Sequence, residues 1–98
     1  MRLELRWNLD AFSGLPHFYE KHGVLETEIE EVLERPAEDR PGSEDSRVAI
    51  GATLAGRVLK VIYVPDDDGV GVFVVTAFAL RGKPLQAFQH RMRKRGKR

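Results

Sequence analysis

Residues 47–79 read RVAIGATLAGRVLKVIYVPDDDGVGVFVVTAFA, and this stretch decides the fold of the 98-residue chain. Its β-branched and aromatic residues fall into three runs, which predict strands over residues 47–53, 57–64 and 70–79. Gly56 helps to turn the chain between the first two strands, and the PDDDG cluster at residues 65–69 is typical of a turn between the last two. Because a parallel crossover needs a dozen or more residues, these short connections predict antiparallel neighbours.

Both faces of the 57–64 strand are apolar, and only Lys60 interrupts them. One face carries Val58, Ile62 and Val64, and the other carries Leu59, Val61 and Tyr63. A sheet that is apolar on both sides has to be covered on both sides, by helices of the same chain or by a partner.

The N-terminal part of the chain predicts one strand followed by two helices. Residues 3–7 alternate between apolar and charged side chains, which is typical of a half-buried strand. Residues 11–23 predict helix in two pieces, because glycine and proline interrupt them, and Gly23 is placed as a C-terminal cap. Residues 26–35 carry an apolar stripe among glutamates, which predicts an amphipathic helix. Residues 36–46 are polar, contain two prolines and predict an exposed loop.

A final helix is predicted after the last strand, with Pro84 near its first turn. Leu85, Phe88 and Met92 lie at i, i+3 and i+7, which gives this helix a narrow apolar stripe for docking. The element order is then β-α-α-β-β-β-α. We expect an α+β fold in which the helices pack on a mostly antiparallel four-stranded sheet.

The charge of the chain is divided between its two parts. Residues 81–98 (RGKPLQAFQHRMRKRGKR) hold eight of the sixteen Lys and Arg residues and no acidic residue. Residues 1–80 hold the other eight and all fifteen Asp and Glu, so this part is seven units negative. The sequence therefore predicts one domain over residues 1–98, with an acidic core and a basic C-terminal helix and tail. A basic segment is typical of a surface that meets phosphates or an acidic protein, but also of a solvated tail.

The composition excludes several kinds of function. A chain without cysteine has no disulfide framework, no thiol nucleophile and no thiolate metal site. The three histidines are scattered and no glycine-rich phosphate loop is present, so neither a metal nor a cofactor is predicted. The sequence begins without an apolar signal core and has no run long enough to span a membrane. We therefore expect a cytoplasmic protein without membrane contacts.

Five short segments follow one another along residues 5–79. They are Trp7-Asn8 with Asp10, Lys21-His22-Gly23-Val24, EIEEVLERP at 28–36, RVAIG at 47–51 and GRVLKVIY at 56–63. Together they resemble the BrnT family of bacterial toxins, in the RelE/ParE-like superfamily of type II toxin-antitoxin systems. The resemblance implies a RelE/BrnT-like fold. This chain departs from the family at Phe78, because residues 75–78 are Val-Thr-Ala-Phe where the family strand ends in Ile-Ser-Ala-Arg.

The resemblance implies a metal-independent endoribonuclease, in which the 2′-hydroxyl of RNA attacks the adjacent phosphate. Such an enzyme needs groups that accept and donate protons and cations around the transition state, but no nucleophile of its own. His22 is the best candidate for the acid or base, because an imidazole titrates near neutral pH. The cations implied to complete the catalytic site are Lys21, Arg47, Arg57 and Arg81. The candidates for nucleic-acid binding are Lys83, Arg91, Arg93, Lys94 and Arg95.

The implied partners are RNA, a small antitoxin of ribbon-helix-helix type and, in a homodimer, a second copy of the chain. The sequence also fits purely structural roles for three of these residues. His22 sits at a helix end, where a histidine often bonds the last carbonyls, and Arg47 and Arg57 are placed to form surface ion pairs. A second class of function is therefore a non-catalytic module that binds RNA or an acidic protein through the basic helix. Phe78, in place of the family arginine, favours this second class.

Overall fold

The computed structural model describes residues 4–9 and 13–96, apart from the side chains of Glu20 and Lys21. This part of the chain forms five strands and three helices. In chain order they are β1 (Glu4–Trp7), α1 (His17–His22), α2 (Glu26–Glu34), β2 (Glu38–Pro41), β3 (Arg47–Ala52), β4 (Val58–Pro65), β5 (Gly71–Ala79) and α3 (Gly82–Gly96). The protein is α+β, as the sequence predicts.

The strands form one mixed sheet with the order β1-β5-β4-β3-β2. β3, β4 and β5 are antiparallel neighbours, which confirms the expectation drawn from their short connections. β1 pairs with β5 in parallel, from Glu4 opposite Gly71 to Trp7 opposite Val74. This pairing joins distant parts of the chain, and no pattern within either strand specifies it.

The sheet has one strand more than the four expected. β2 lies inside residues 36–46, which the sequence predicts to be an exposed loop, and it pairs antiparallel with β3 at the edge of the sheet. An edge strand needs hydrogen bonds on one side only. Proline and charged residues, which signal a loop, are therefore tolerated there, and Pro41 is the last residue of β2.

The predicted helix over residues 11–23 is shorter in the structure. α1 begins at His17, directly after Pro16, and residues 13–16 are not helical. Residues 10–12, which include Asp10 of the family resemblance, lie outside the described residues.

α1 and α2 cover one face of the sheet and enclose the larger hydrophobic core. Phe18, Ile29 and Val32 from this layer are at most 1% exposed. They pack in one cluster with Leu59 and Val61 of β4, which are fully buried. The apolar stripe predicted for residues 26–35 is therefore the buried side of α2.

α3 covers part of the opposite face. Its buried residue Phe88 packs with Ile50 and Leu80, and Leu85 and Met92 lie against the same cluster. The docking stripe predicted from the i, i+3, i+7 spacing is thus confirmed. Helices therefore pack on both faces of the sheet, as its apolar residues on both sides require.

A β-bulge interrupts the pairing of β4 with β5. Ile62 lies opposite Thr76, whereas Tyr63 lies opposite Val74, so Val75 has no partner in β4. Bulges of this kind bend a strand and change the direction of its side chains. Val75 is 46% exposed and lies outside the part of the sheet that α3 covers.

Candidate functional site

A small cavity lies where α1, the end of β5 and the start of α3 meet. It is lined by His22, Phe78, Ala79 and Arg81 and has a volume of about 250 Å³. His22 and Arg81 are exposed to solvent. The imidazole and the Phe78 ring are 5.7 Å apart between their centroids. Of the predicted catalytic residues whose side chains the structure describes, His22 and Arg81 therefore line one cavity.

His22 reaches the cavity because α1 ends directly after it. Gly23 adopts the left-handed conformation, with a φ of 64°, which residues with a side chain adopt only at a cost. The Gly23 N–H donates to the Tyr19 carbonyl at 2.8 Å, and the Val24 N–H donates to the Phe18 carbonyl at 3.3 Å. These backbone bonds cap the last turn of α1. The capping role that the sequence also suggests for His22 is thus filled by the backbone.

Arg57, the residue before β4, supports the end of α1. Its guanidinium donates hydrogen bonds to the carbonyl oxygens of His22 at 3.5 Å and Gly23 at 3.4 Å. It also forms an ion pair with Glu28, with 3.2 Å between Nη1 and Oε1. Glu28 in turn accepts a hydrogen bond from the Leu25 N–H at 3.0 Å. Arg57 is therefore close to the cavity, but its guanidinium contacts the backbone of His22 and forms an ion pair with Glu28.

Arg47 lies away from the cavity. It is opposite Tyr63 in the sheet, whereas Ala79, which lines the cavity, is opposite Leu59. Four residues of β4 separate these two positions, roughly 13 Å along the strand. Arg47 instead pairs with Asp39 of β2, with 2.9 Å between Nε and Oδ1.

Asp39, Arg47 and Tyr63 form a cluster that joins β2, β3 and β4. The Tyr63 hydroxyl donates to Asp39 Oδ2 at 2.6 Å. Burial of the phenol and its bond to Asp39 raise the pKa of Tyr63 to about 12. The hydrogen bond to Asp39 also raises the pKa of Arg47. Both groups keep their protons at neutral pH, so this cluster supports the sheet rather than proton transfer.

Two of the five predicted nucleic-acid-binding residues hold α3 against β2. Arg91 donates to both carboxylate oxygens of Glu38, at 2.7 Å from Nε and 2.9 Å from Nη2. Arg95 donates to Glu38 Oε2 at 3.1 Å and to the Ala37 carbonyl at 3.1 Å. The Glu38 side chain is only 5% exposed. Paired arginine–carboxylate bonds of this kind fix orientation as well as adding stability. Arg91 and Arg95 are therefore engaged within the protein.

The other three predicted nucleic-acid-binding residues lie on the solvent side of α3. Lys83, Arg93 and Lys94 are exposed, and none of the carboxylates whose positions are described pairs with them. Lys83 and Arg93 are ten residues apart, about 15 Å along the helix. Arg81 precedes the helix directly, so the cavity and this basic surface are contiguous along the chain.

The predicted catalytic Lys21 belongs to α1, but its side chain lies outside the described part of the structure.

Two acidic residues that organise the site are absent from the sequence-based prediction. Glu28 had a local signal, because it follows the start of α2 at the position where a glutamate bonds back to the first N–H groups. Glu38 had none, because its partner Arg91 lies 53 positions further along the chain. Its own segment, moreover, has the composition of a loop.

Replacing Glu38 by glutamine is expected to loosen α3 and lower the free energy of unfolding by about 2 kcal/mol, since hydrogen bonds to charged groups contribute about 1.5–3 kcal/mol. The Arg91 hydrogen bond lowers the pKa of Glu38 below 4.5. The pair therefore contributes its full stability above pH 4.5, and this is lost as the pH falls through the lowered pKa. Urea unfolding of both proteins at several pH values measures the difference, which should shrink in acid.

The control for this change is Glu34→Gln, which removes an exposed carboxylate from α2. It should change the stability by less than about 0.5 kcal/mol, as surface substitutions usually do. An equal loss in both variants, or a difference that persists at low pH, would contradict the role of Glu38.

The fold and the site define a small α+β protein in which an exposed histidine lies beside a basic C-terminal helix. Residues 19–79 match DUF4258, a domain of unknown function, and the chain belongs to this family. The match runs from α1 to the end of β5, so it includes His22, Arg57 and Phe78 and stops before α3. The chain matches no curated protein and no solved structure.

Residues 4–9 and 13–96 contain the three helices α1, α2 and α3. None of the three helices there has both the length and the apolar character needed to cross a membrane. In the same residues, no group of three or more histidine and acidic side chains is arranged to hold a metal ion.

Proposed function

We propose that the protein is a metal-independent endoribonuclease toxin of a type II toxin-antitoxin system, with a RelE/BrnT-like form of the α+β fold. The observation that carries the proposal is the cavity shared by His22 and Arg81 at the start of the basic helix α3. An imidazole, a group that can accept and donate a proton, lies there beside the guanidinium of Arg81. RNA cleavage by its own 2′-hydroxyl requires both kinds of group.

In the proposed reaction, the 2′-oxygen of one nucleotide bonds to the adjacent phosphorus while the bond from phosphorus to the 5′-oxygen breaks. His22 takes the proton from the 2′-hydroxyl, and the departing 5′-oxygen receives a proton from the imidazolium or from water. Arg81 donates to the non-bridging oxygens, whose negative charge grows in the transition state. The products are a 2′,3′-cyclic phosphate and a 5′-hydroxyl.

α3 supplies a surface for RNA next to this cavity. The exposed charges of Lys83, Arg93 and Lys94 lie on its solvent side, and Arg81 connects that side to the cavity. The N-terminal end of a helix also carries a partial positive charge that favours phosphate. Contacts of this kind hold the backbone of RNA without reading its sequence.

The other three predicted catalytic residues have different roles in this proposal. Arg57 is a positioning residue, because it bonds the carbonyl oxygens of His22 and Gly23. Arg47 stabilises the sheet through Asp39. Lys21 remains a predicted catalytic cation on the same helix as His22.

We place the reaction in the cytoplasm, with a small antitoxin of ribbon-helix-helix type as the inhibiting partner. The support for an inhibiting protein is the basic surface of α3, since a partner with acidic residues would compete there with RNA. A homodimer is a second assembly proposed for the chain.

A second candidate function is a module that binds RNA or an acidic protein through α3 without cleaving it. Two ion pairs favour this candidate: Arg57 with Glu28, and Arg47 with Asp39. Phe78 adds to it, because a neutral ring lines the cavity where the family resemblance implies an arginine.

Production of the protein alone in bacteria, and its purified form mixed with single-stranded RNA, separate the two candidates. The ribonuclease proposal expects slowed growth and RNA fragments that end in a 2′,3′-cyclic phosphate. The binding module expects a retarded but intact RNA. If the protein leaves both growth and RNA unaffected, the ribonuclease proposal is wrong.

A further inference from the structure

Beside α3, the same face of the sheet forms a second concave surface. We call it the open face, and it consists of Val48, Lys60, Ile62, Val64 and Val75, of which Val48 also packs against the cluster under α3. The turn over residues 42–46 forms its rim, and together they line a cavity of about 610 Å³. Two helices, α1 and α2, cover the opposite side of the sheet, whereas the open face lies beside a single helix.

The open face is wide enough to hold one more helix beside α3. Val58, which packs under α3, and Ile62 lie on the same side of β4, four residues or roughly 13 Å apart. Packed helices lie about 8–10 Å apart between their axes. A helix laid beside α3 would therefore cross β5, β4 and β3 over Val75, Ile62 and Val48, a span of roughly 10 Å.

Lys60 determines which kind of helix fits. It lies half-buried among valines and isoleucine, and its Nζ is 6.0 Å from the centre of the Phe78 ring. Among the side chains that the structure describes, no carboxylate forms an ion pair with it. A partner that covered Lys60 without supplying a negative charge would leave an unpaired buried cation, which is strongly unfavourable.

The rim has the opposite charge. Glu44 and Asp45 line the same cavity from the turn after β2. Phosphates would be repelled there and would face apolar side chains over the rest of the surface. A nucleic acid is therefore a poor occupant of the open face, whereas a protein with both signs of charge fits it.

We propose that the open face binds an amphipathic α-helix of a protein partner. The helix places an apolar stripe on the valines and Ile62, a carboxylate against Lys60 and a basic residue beside Glu44 and Asp45. The proposal rests on the sheet surface alone, so it stands or falls separately from RNA cleavage. A helix in this position would lie directly beside α3 and its basic surface.

A displayed library of amphipathic helical peptides, randomised at the positions flanking the apolar stripe, tests this proposal. Selection against the full chain is expected to enrich peptides with Asp or Glu at one central position and Lys or Arg towards one end. Lys60→Glu should weaken the selected peptides at least about tenfold, the lower end of measured couplings between close charge pairs. Exchanging the central acid of the peptide for lysine should restore binding to that variant.

Two further variants locate the binding. Val75→Asp and Leu25→Asp alter residues of similar exposure, 46% and 50%, on opposite sides of the sheet. The first should abolish binding and the second should leave it unchanged. The proposal is overturned if no peptide is enriched, if the enriched peptides carry no acid, or if they bind Lys60→Glu as well as wild type. It is also overturned if sedimentation shows a dimer that Val75→Asp dissociates, because the occupant is then a second copy.

Discussion

Replacing His22 by alanine is expected to lower the rate of RNA cleavage by about 10²–10⁴-fold, the usual loss when a positioned acid or base is removed. The fold should be unaffected, because the imidazole is exposed and the end of α1 is held by Gly23, Val24 and Arg57. The measurement is the initial rate on single-stranded RNA at saturating substrate, with the melting temperature of the same sample.

The matched control is His17→Ala, which removes an imidazole from the first residue of the same helix, outside the cavity. It should cleave RNA at close to the wild-type rate. If both variants cleave equally well, His22 takes no part in proton transfer. If His22→Ala unfolds, His22→Gln takes its place in the comparison, because glutamine keeps a polar side chain but cannot act as the acid or base.

Binding of single-stranded RNA to α3 is expected to weaken several hundredfold when the salt concentration rises tenfold. Four cations, Arg81, Lys83, Arg93 and Lys94, are exposed along this surface. Each phosphate contact adds about 0.7 to the slope of log K against log salt on a single strand, so four contacts give a slope of roughly −2.8. Titration with labelled RNA at several salt concentrations measures it. A cleavage-deficient variant such as His22→Ala keeps the RNA intact during the measurement.

Two single substitutions remove one charge each and separate a local contact from a general effect of net charge. Arg93→Gln, on the solvent side of α3, should reduce the slope by about 0.7. Arg35→Gln, at the end of α2 on the other side of the sheet, should leave the slope unchanged. If both variants change the slope equally, RNA binding depends on the net charge of the protein and not on contacts with α3.

The strands from residue 47 onwards agree closely with the sequence-based prediction, because their information is local. Runs of β-branched and aromatic residues define β3, β4 and β5, and turns that contain Gly56 or the PDDDG cluster separate them. The sequence does not predict β2, because the information that makes this segment a strand is not local. Its four residues are EDRP, and they form a strand because β3 offers them a free edge, which is a property of the sheet and not of the segment.

The candidate site was predicted in part. His22 and Arg81 were both named from the sequence, but their proximity depends on α1 and α3 meeting at the end of β5. Arg91 and Arg95 belong to a run of basic residues that is uniform in the sequence. The structure divides that run, because Glu38 binds two of its members and leaves Arg93 and Lys94 in solvent. Such a division requires the position of a carboxylate from a distant segment, which no local pattern contains.

The parallel pairing of β1 with β5 has a consequence for the order of folding. Glu4 lies opposite Gly71, so β1 can pair only after a strand that lies more than 60 residues further along the chain has been synthesised. β3, β4 and β5, by contrast, are joined by short turns and can pair as soon as each is complete. Closing a long loop costs entropy before any contact compensates for it, and distant pairings slow folding accordingly. We therefore expect β1 to join a sheet that already exists, as the last strand to be added.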